Sequence, residues 1–278
     1  MSDSDEEGPS PNWELLKETL SPSAYAELRS HLDNTADSNK NPILLNRQEE
    51  VMLNSVFKEQ SYWNQRFMEE EEYDWLVKTS QISEYIVPHI NMNDRILVVG
   101  CGNSLFSVEL YNMGYKNIVN IDFSDVLINK MKEKYQNLPE MQWLVMDMMD
   151  LSAFKDGEFD CVIDKASMDA LVTDEGDVWH PSESAVLSVD KYLKEVSRVL
   201  GDHKYFLQIT FSQPHFRTKY LMGLRSPAAT AVDASPYQSA TGYAPSFQWN
   251  VEYNTVTIEK GSFDNFIYKM RKEPRKTN

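Results

Sequence analysis

Short apolar runs that stop at a glycine or an acid constrain this chain more than any other feature. Arg95-Ile96-Leu97-Val98-Val99 stops at Gly100-Cys101-Gly102, and Ile118-Val119-Asn120-Ile121 stops at Asp122. Gln142-Trp143-Leu144-Val145-Met146 stops at Asp147, and Phe159-Asp160-Cys161-Val162-Ile163 at Asp164. A fifth run is Tyr205-Phe206-Leu207-Gln208-Ile209-Thr210-Phe211. Continuous runs of this kind suit strands covered on both faces, as in a parallel sheet. Helical spacing fills the gaps at residues 104–113, 124–135 and 184–200. Ser124 stands where an N-cap belongs, and Val186, Val189, Leu193, Val196 and Leu200 recur at helical spacing. The alternation predicts right-handed crossovers and a doubly wound, mostly parallel α/β sheet. Residues 58–272 read as that domain, with a loop inserted at 226–246 that is rich in Ala, Ser, Pro and Thr. Strand-like alternation returns at Phe247, Trp249, Val251 and Tyr253, and again at Phe263, Phe266 and Tyr268. Residues 1–57 read as an acidic tail and a helical extension, and 273–278 as a basic tail.

Charge and cysteine usage narrow the class of partner. The 278 residues carry a formal net charge of −16. So large an acidic excess repels phosphate backbones and anionic membranes, so the expected partner is neither nucleic acid nor membrane. No apolar run approaches the length that spans a bilayer. The start, Met1-Ser2-Asp3-Ser4-Asp5-Glu6-Glu7, has neither the basic and apolar parts of a secretory signal nor the arginines of a mitochondrial presequence. Cys101 and Cys161 make no disulfide framework, and the five histidines show no metal-ligand spacing. The expectation is a metal-free protein of a reducing, cytoplasmic compartment.

In an open α/β sheet a ligand lies beyond the carboxyl ends of the strands, so the polar residues there are the candidates. Gly100 and Gly102 permit a tight turn and a close approach to backbone. Asp122 follows about 20 residues later, where a carboxylate accepts ribose hydroxyls. Asp147 is placed to accept an exocyclic adenine amine, and Phe123 and Met148 to flank a flat base. Each of these is also an ordinary turn residue; their succession at three strand ends favours a nucleoside pocket. A dinucleotide fingerprint needs a third glycine, and that position holds Leu105. S-adenosylmethionine has no pyrophosphate to cradle. It needs the glycine turn, the acid and an electron-rich surround for its sulfonium. Tyr62-Trp63-Asn64-Gln65-Arg66-Phe67 and Tyr73-Asp74-Trp75 offer the aromatic rings. Asp164, Asp169 and Asp174 are candidates for an acidic pocket mouth that draws in an ammonium group, with surface solvation or helix capping as the alternative. His215 orients substrate or caps the helix after it; the residues alone leave both open. Cys101 reads as a small residue in a tight turn, not as a nucleophile.

Several segments are similar to known sequences. Tyr62 to Phe67, Tyr73-Asp74-Trp75, Gly100-Cys101-Gly102-Asn103-Ser104, Asp122-Phe123-Ser124 and Asp164-Lys165-Ala166-Ser167-Met168-Asp169-Ala170 resemble the class I methyltransferases that modify lysine on translation elongation factor 1-alpha. Gln213-Pro214-His215-Phe216 resembles that family's segment after the fifth strand. The resemblance implies a seven-stranded Rossmann-like sheet with one reversed strand. It implies S-adenosyl-L-methionine as cofactor and elongation factor 1-alpha as protein substrate. It places cofactor contacts on Trp63, Phe67, Trp75, Gly100, Asp122, Phe123, Asp147, Met148 and Lys165. The chain departs from the pattern at Ala166-Ser167-Met168, where the family has Gly-Thr-Leu, and at Gly201-Asp202-His203-Lys204, in place of Pro-Gly-Gly. Three classes of function follow: a protein-lysine methyltransferase, or one acting on another lysine or an N-terminal amine; a nicotinamide-dependent oxidoreductase; and a cofactor-binding scaffold without catalysis.

Overall fold

The computed structural model describes residues 54–223, 241–258 and 263–274. The acidic tail and most of the expected helical extension lie outside these residues. The sheet begins with β1 (Ile96–Val99), β2 (Ile118–Asp122), β3 (Gln142–Val145) and β4 (Phe159–Lys165). A short hairpin, β5 (Gly176–Asp177) and β6 (His180–Pro181), stands apart from it. The sheet continues with β7 (Leu200–Thr210), β8 (Gly242–Ala244), β9 (Trp249–Val256) and β10 (Asn265–Lys272). The strand order is β3-β2-β1-β4-β7-β10-β9-β8. The first five of these run parallel, and β10 is reversed between β7 and β9.

The helices are α1 (Gln60–Glu69), α2 (Thr79–Ile86), α3 (Phe106–Asn112), α4 (Asp125–Lys134), α5 (Ser167–Leu171), α6 (Glu183–Val199) and α7 (Pro214–Leu221). Alternation along β1 assigns the two faces. Leu97 and Val99 join a core formed with Met168 of α5, Tyr192 and Val196 of α6, and Leu221 of α7. Ile96 and Val98 join a second core with Ile82 of α2, Leu110 of α3 and Leu127 of α4. Both faces of the sheet are thus covered, and β1 is buried along its whole length. Removing one such Leu or Ile from water contributes about 1.5–3 kcal/mol.

Three expectations need correction. Among the described residues the sheet has eight strands, not seven, because Gly242–Ala244, inside the loop expected at 226–246, pairs with β9 as an edge strand. The rest of that loop, through residue 240, lies outside the described residues. The third run is not covered on both faces: β3 is the opposite edge, and Val145 is half exposed. The fifth run begins earlier, at Leu200, directly after α6. At the start of the expected basic tail, the Glu273 amide donates to the Gln248 carbonyl at 2.7 Å.

Candidate active site

The carboxyl ends of β1 to β4 meet at one edge, and the chain order reverses between β1 and β4. Such a switch point opens a crevice. Here it is a cavity of about 590 Å³. Trp63, Phe67, Trp75, Gly100, Gly102, Asp122, Phe123, Asp147, Met148, Lys165 and Asp169 all line it. Of the candidate residues, Asp164 and Asp174 do not.

The two glycines have different reasons. Both take left-handed backbone, at φ +54° for Gly100 and +55° for Gly102. A Cβ on Gly100 would lie 2.7 Å from the Cβ of Ser167, whose hydroxyl donates to Val99 O at 2.8 Å. A Cβ on Gly102 would meet nothing within 4 Å. Gly100 therefore lets α5 pack against the turn, and Gly102 keeps its backbone open to the cavity.

Asp122 ends β2 almost wholly buried. Its carboxylate accepts the Gly102 amide at 3.1 Å and the Ser124 amide at 3.0 Å. Burial pushes its pKa up to about 6, and these amides offset only part of that. A second carboxylate, Asp147, is exposed at the cavity edge and accepts the Met149 amide at 2.8 Å. Each acid thus makes the turn that its position permits and faces the cavity as well.

The wall opposite is aromatic. Trp63 stacks on Phe67 with centroids 5.6 Å apart and meets Trp75 edge-on at 6.1 Å. The Trp63 indole donates to Phe57 O at 2.8 Å. A resident cation already uses part of this cluster: the Arg66 guanidinium lies 4.8 Å from Trp75 and 5.1 Å from Tyr73. Arg66 pairs with Glu70, which also accepts Asn103 Nδ2 at 2.9 Å. Burial works against the charge on Glu70, yet these donors hold its pKa below the usual range. The acidic run after α1 is therefore pinned, with Lys130 on Glu71 and Lys134 on Glu72. Asp74 accepts the Ser104 hydroxyl and Lys165 Nζ, the latter at 3.2 Å. Burial lowers the Lys165 pKa, and Asp74 opposes that shift.

The candidate acids divide. Asp164 is fully buried: it accepts the Tyr192 hydroxyl at 2.7 Å and the Ser167 and Met168 amides that open α5. It holds an element in place and does not form the mouth. Asp169 lines the cavity and pairs with buried Arg217 and with Thr210 Oγ1 at 2.6 Å; burial pushes it up to about 6. Asp174 pairs at 2.8 Å with Lys58, which lines the cavity. His215 caps nothing, since Gln213 holds the N-cap position of α7. Cys101 is buried, and its thiol pKa stands far above the ordinary value, first through burial and then through Asp122.

The residues fit an adenosine carrying a short charged chain. Open space at Gly102, a buried acid for the sugar and apolar flanks at Phe123 and Met148 are all present. Residues 97–207 match the family model described as a methyltransferase domain. The chain is 38% identical over 170 residues to EEF1A lysine methyltransferase 4 of Bos taurus, covering 60% of this chain and 66% of that protein. Residues 97–207 of this chain thus carry a methyltransferase domain. The chain is also 37% identical over 166 residues to the eEF1A lysine and N-terminal methyltransferase of Mus musculus, covering 59% of this chain and 23% of that protein. The matched stretch thus spans just under two thirds of the first relative and about a quarter of the second. Among solved structures, the N-methyltransferase NodS of Bradyrhizobium japonicum superposes with a TM-score of 0.51 at 12% identity, covering 78% of this chain and 99% of that one. At that identity the likeness is one of fold.

Part of the cavity lining has no signal in the sequence. Phe57 and Gln60 line it, although 54–57 was assigned to the extension, and the Gln60 amide donates to Phe123 O. The Arg66–Glu70 spacing of four on a helix was a legible signal for their pairing. Nothing local announced that Asn103 would join them across 33 residues.

Proposed function

We propose that this chain is an S-adenosyl-L-methionine-dependent protein-lysine N-methyltransferase acting on translation elongation factor 1-alpha in the cytoplasm. The observation that carries the reading is the cavity itself, which collects a glycine turn, two acids and an aromatic wall around one adenosine-sized space. The similarity to the bovine lysine methyltransferase supports the choice of acceptor.

In this reading Asp122 accepts the ribose hydroxyls, and Asp147 accepts the adenine amine. Phe123 and Met148 flank the base, Lys165 faces the amino-acid end, and Trp63, Phe67 and Trp75 wall the opposite side. The cofactor supplies a methyl group on a sulfonium, open to attack by an uncharged amine. The chain's own work is then proximity and alignment, with removal of water from the acceptor. A lysine arrives as an ammonium, so the mouth must both attract a cation and let it lose a proton. Asp169 suits that role: it is anionic at neutral pH, with a pKa pushed up to about 6 by burial, and Arg217 and Thr210 hold it in place.

A labelled methyl donor incubated with the full chain and elongation factor 1-alpha tests this reading. Label on a lysine of the factor supports it. Label only on the amino terminus would replace it with N-terminal methylation, the other activity that the mouse relative's name carries. Titration calorimetry adds a second check: binding of NAD without binding of the methyl donor would remove the cofactor assignment.

A further inference from the structure

Exposed aromatic rings stand on the two segments that follow the cavity-lining residues Thr173 and Phe211. Phe211, just past β7, lines the cavity and is still 58% exposed. Four residues later α7 carries His215 and Phe216. Trp179, between β5 and β6, is 65% exposed; it stacks on His215 at 5.5 Å and 24° and meets Phe216 edge-on at 4.9 Å. Leu187, also exposed, adjoins the cavity-lining Ser188 on α6.

This surface is held in shape before anything binds. Lys219 Nζ donates to Val178 O, and the Tyr220 hydroxyl donates to Glu175, so α7 fastens the hairpin from below. The Ser182 amide donates to Glu175 O at 2.8 Å, and the Trp179 amide to Asp177 Oδ1 at 2.9 Å. Large apolar rings left in water, on a hydrogen-bonded frame, mark an interaction site. Preorganised rings bind at low entropic cost. The charge around them selects the partner. Asp174, Glu175 and Asp177 sit on the same segment, and the whole chain carries −16. That combination repels lipid headgroups and nucleic acid and favours a polypeptide bearing a basic side chain.

We propose that Trp179, His215, Phe216 and Phe211 form the docking platform for the polypeptide segment that carries the target amine. An apolar side chain of that segment seats on Trp179 while its neighbouring lysine enters past Phe211. The inference rests on the methyl-transfer reading above and adds where the acceptor binds and what must flank the lysine. Its consequence is that the platform sets KM for the protein acceptor and leaves cofactor binding alone.

The test uses the full chain, labelled S-adenosylmethionine and elongation factor 1-alpha, with wild type, Trp179→Ala, Trp179→Phe and His215→Ala. Cofactor affinity is measured in parallel by calorimetry. Trp179→Ala should raise KM for the protein about tenfold with kcat little changed, the loss expected for an aromatic anchor. Trp179→Phe should recover most of that loss, and His215→Ala, which removes only the backing of the ring, should shift KM the same way by a smaller factor. Cofactor affinity should be the same in all four proteins. Should Trp179→Ala disturb the hairpin and weaken cofactor binding, His215→Ala decides the matter. Unchanged KM in the variants overturns the platform and leaves the methyl-transfer reading standing. Absence of transfer by the wild type removes both.

Discussion

Ala166 and His203 carry left-handed backbone, φ +71° and +64°, without being glycine. They stand where the chain departs from the methyltransferases it resembles, and the backbone keeps the shape that glycine allows. The departures at these sites therefore cost strain but leave the turn in place, which weakens the scaffold reading. A left-handed non-glycine residue costs about 1–2 kcal/mol, partly offset by the freedom glycine adds to the unfolded chain. Ala166→Gly should thus raise stability by about 0.5–1 kcal/mol, measured by urea unfolding. Gly100→Ala should do the reverse and more, because its φ of +54° and the nearby Ser167 side chain both resist a methyl group. Asp122 links a residue to pH. Its pKa, pushed up to about 6 by burial, lies above the unfolded value. The native state therefore binds the extra proton, and this group subtracts stability as pH rises from about 4 to about 6. Ligand binding runs the other way, since the anion is the better acceptor. Affinity for S-adenosylmethionine should weaken as pH falls below 6, and Asp122→Asn should lower it about tenfold and flatten that dependence. Calorimetry across the range checks both.

Among the elements, α4 shows how one cap serves two purposes. The Ser124 hydroxyl accepts the Leu127 amide at 3.1 Å and donates to Asn64 Oδ1 at 2.6 Å, so it starts α4 and fastens α1 over the cavity. Ser124→Ala should cost about 1 kcal/mol, or roughly 2–4 °C in Tm for a domain of this size, and should weaken cofactor binding as well. The cap was readable because a serine before helical spacing has one local explanation. The short strand β8 was not readable: a loop-like composition becomes an edge strand only because β9 presents unpaired backbone at Asn250 and Trp249. Similarly, β3 looks like the inner strands by composition, and only the strand order makes it an edge.

At the scale of the molecule, the charge of −16 and the cavity work together. A lysine-bearing acceptor should associate faster than the uncharged limit, and its kcat/KM should fall by roughly tenfold between ~50 and ~300 mM salt, while cofactor affinity changes little. Steady-state kinetics at several salt concentrations check this. The amino-acid order by itself determined the alternation of strands and helices and the residues that stand at strand ends, because period and turn chemistry are local. Gly100, Gly102, Asp122 and Asp147 belong to that local code. Which acids face the cavity was decided only by tertiary packing. Asp164 and Asp169 are five residues apart and alike in type, yet α5 turns one beneath its own amino end and the other to the cavity wall. The Arg66 stacking on Trp75, the Lys58–Asp174 pair and the Trp179 platform likewise join residues far apart in the chain. Contacts of that kind depend on how the elements are stacked, and no local pattern encodes them.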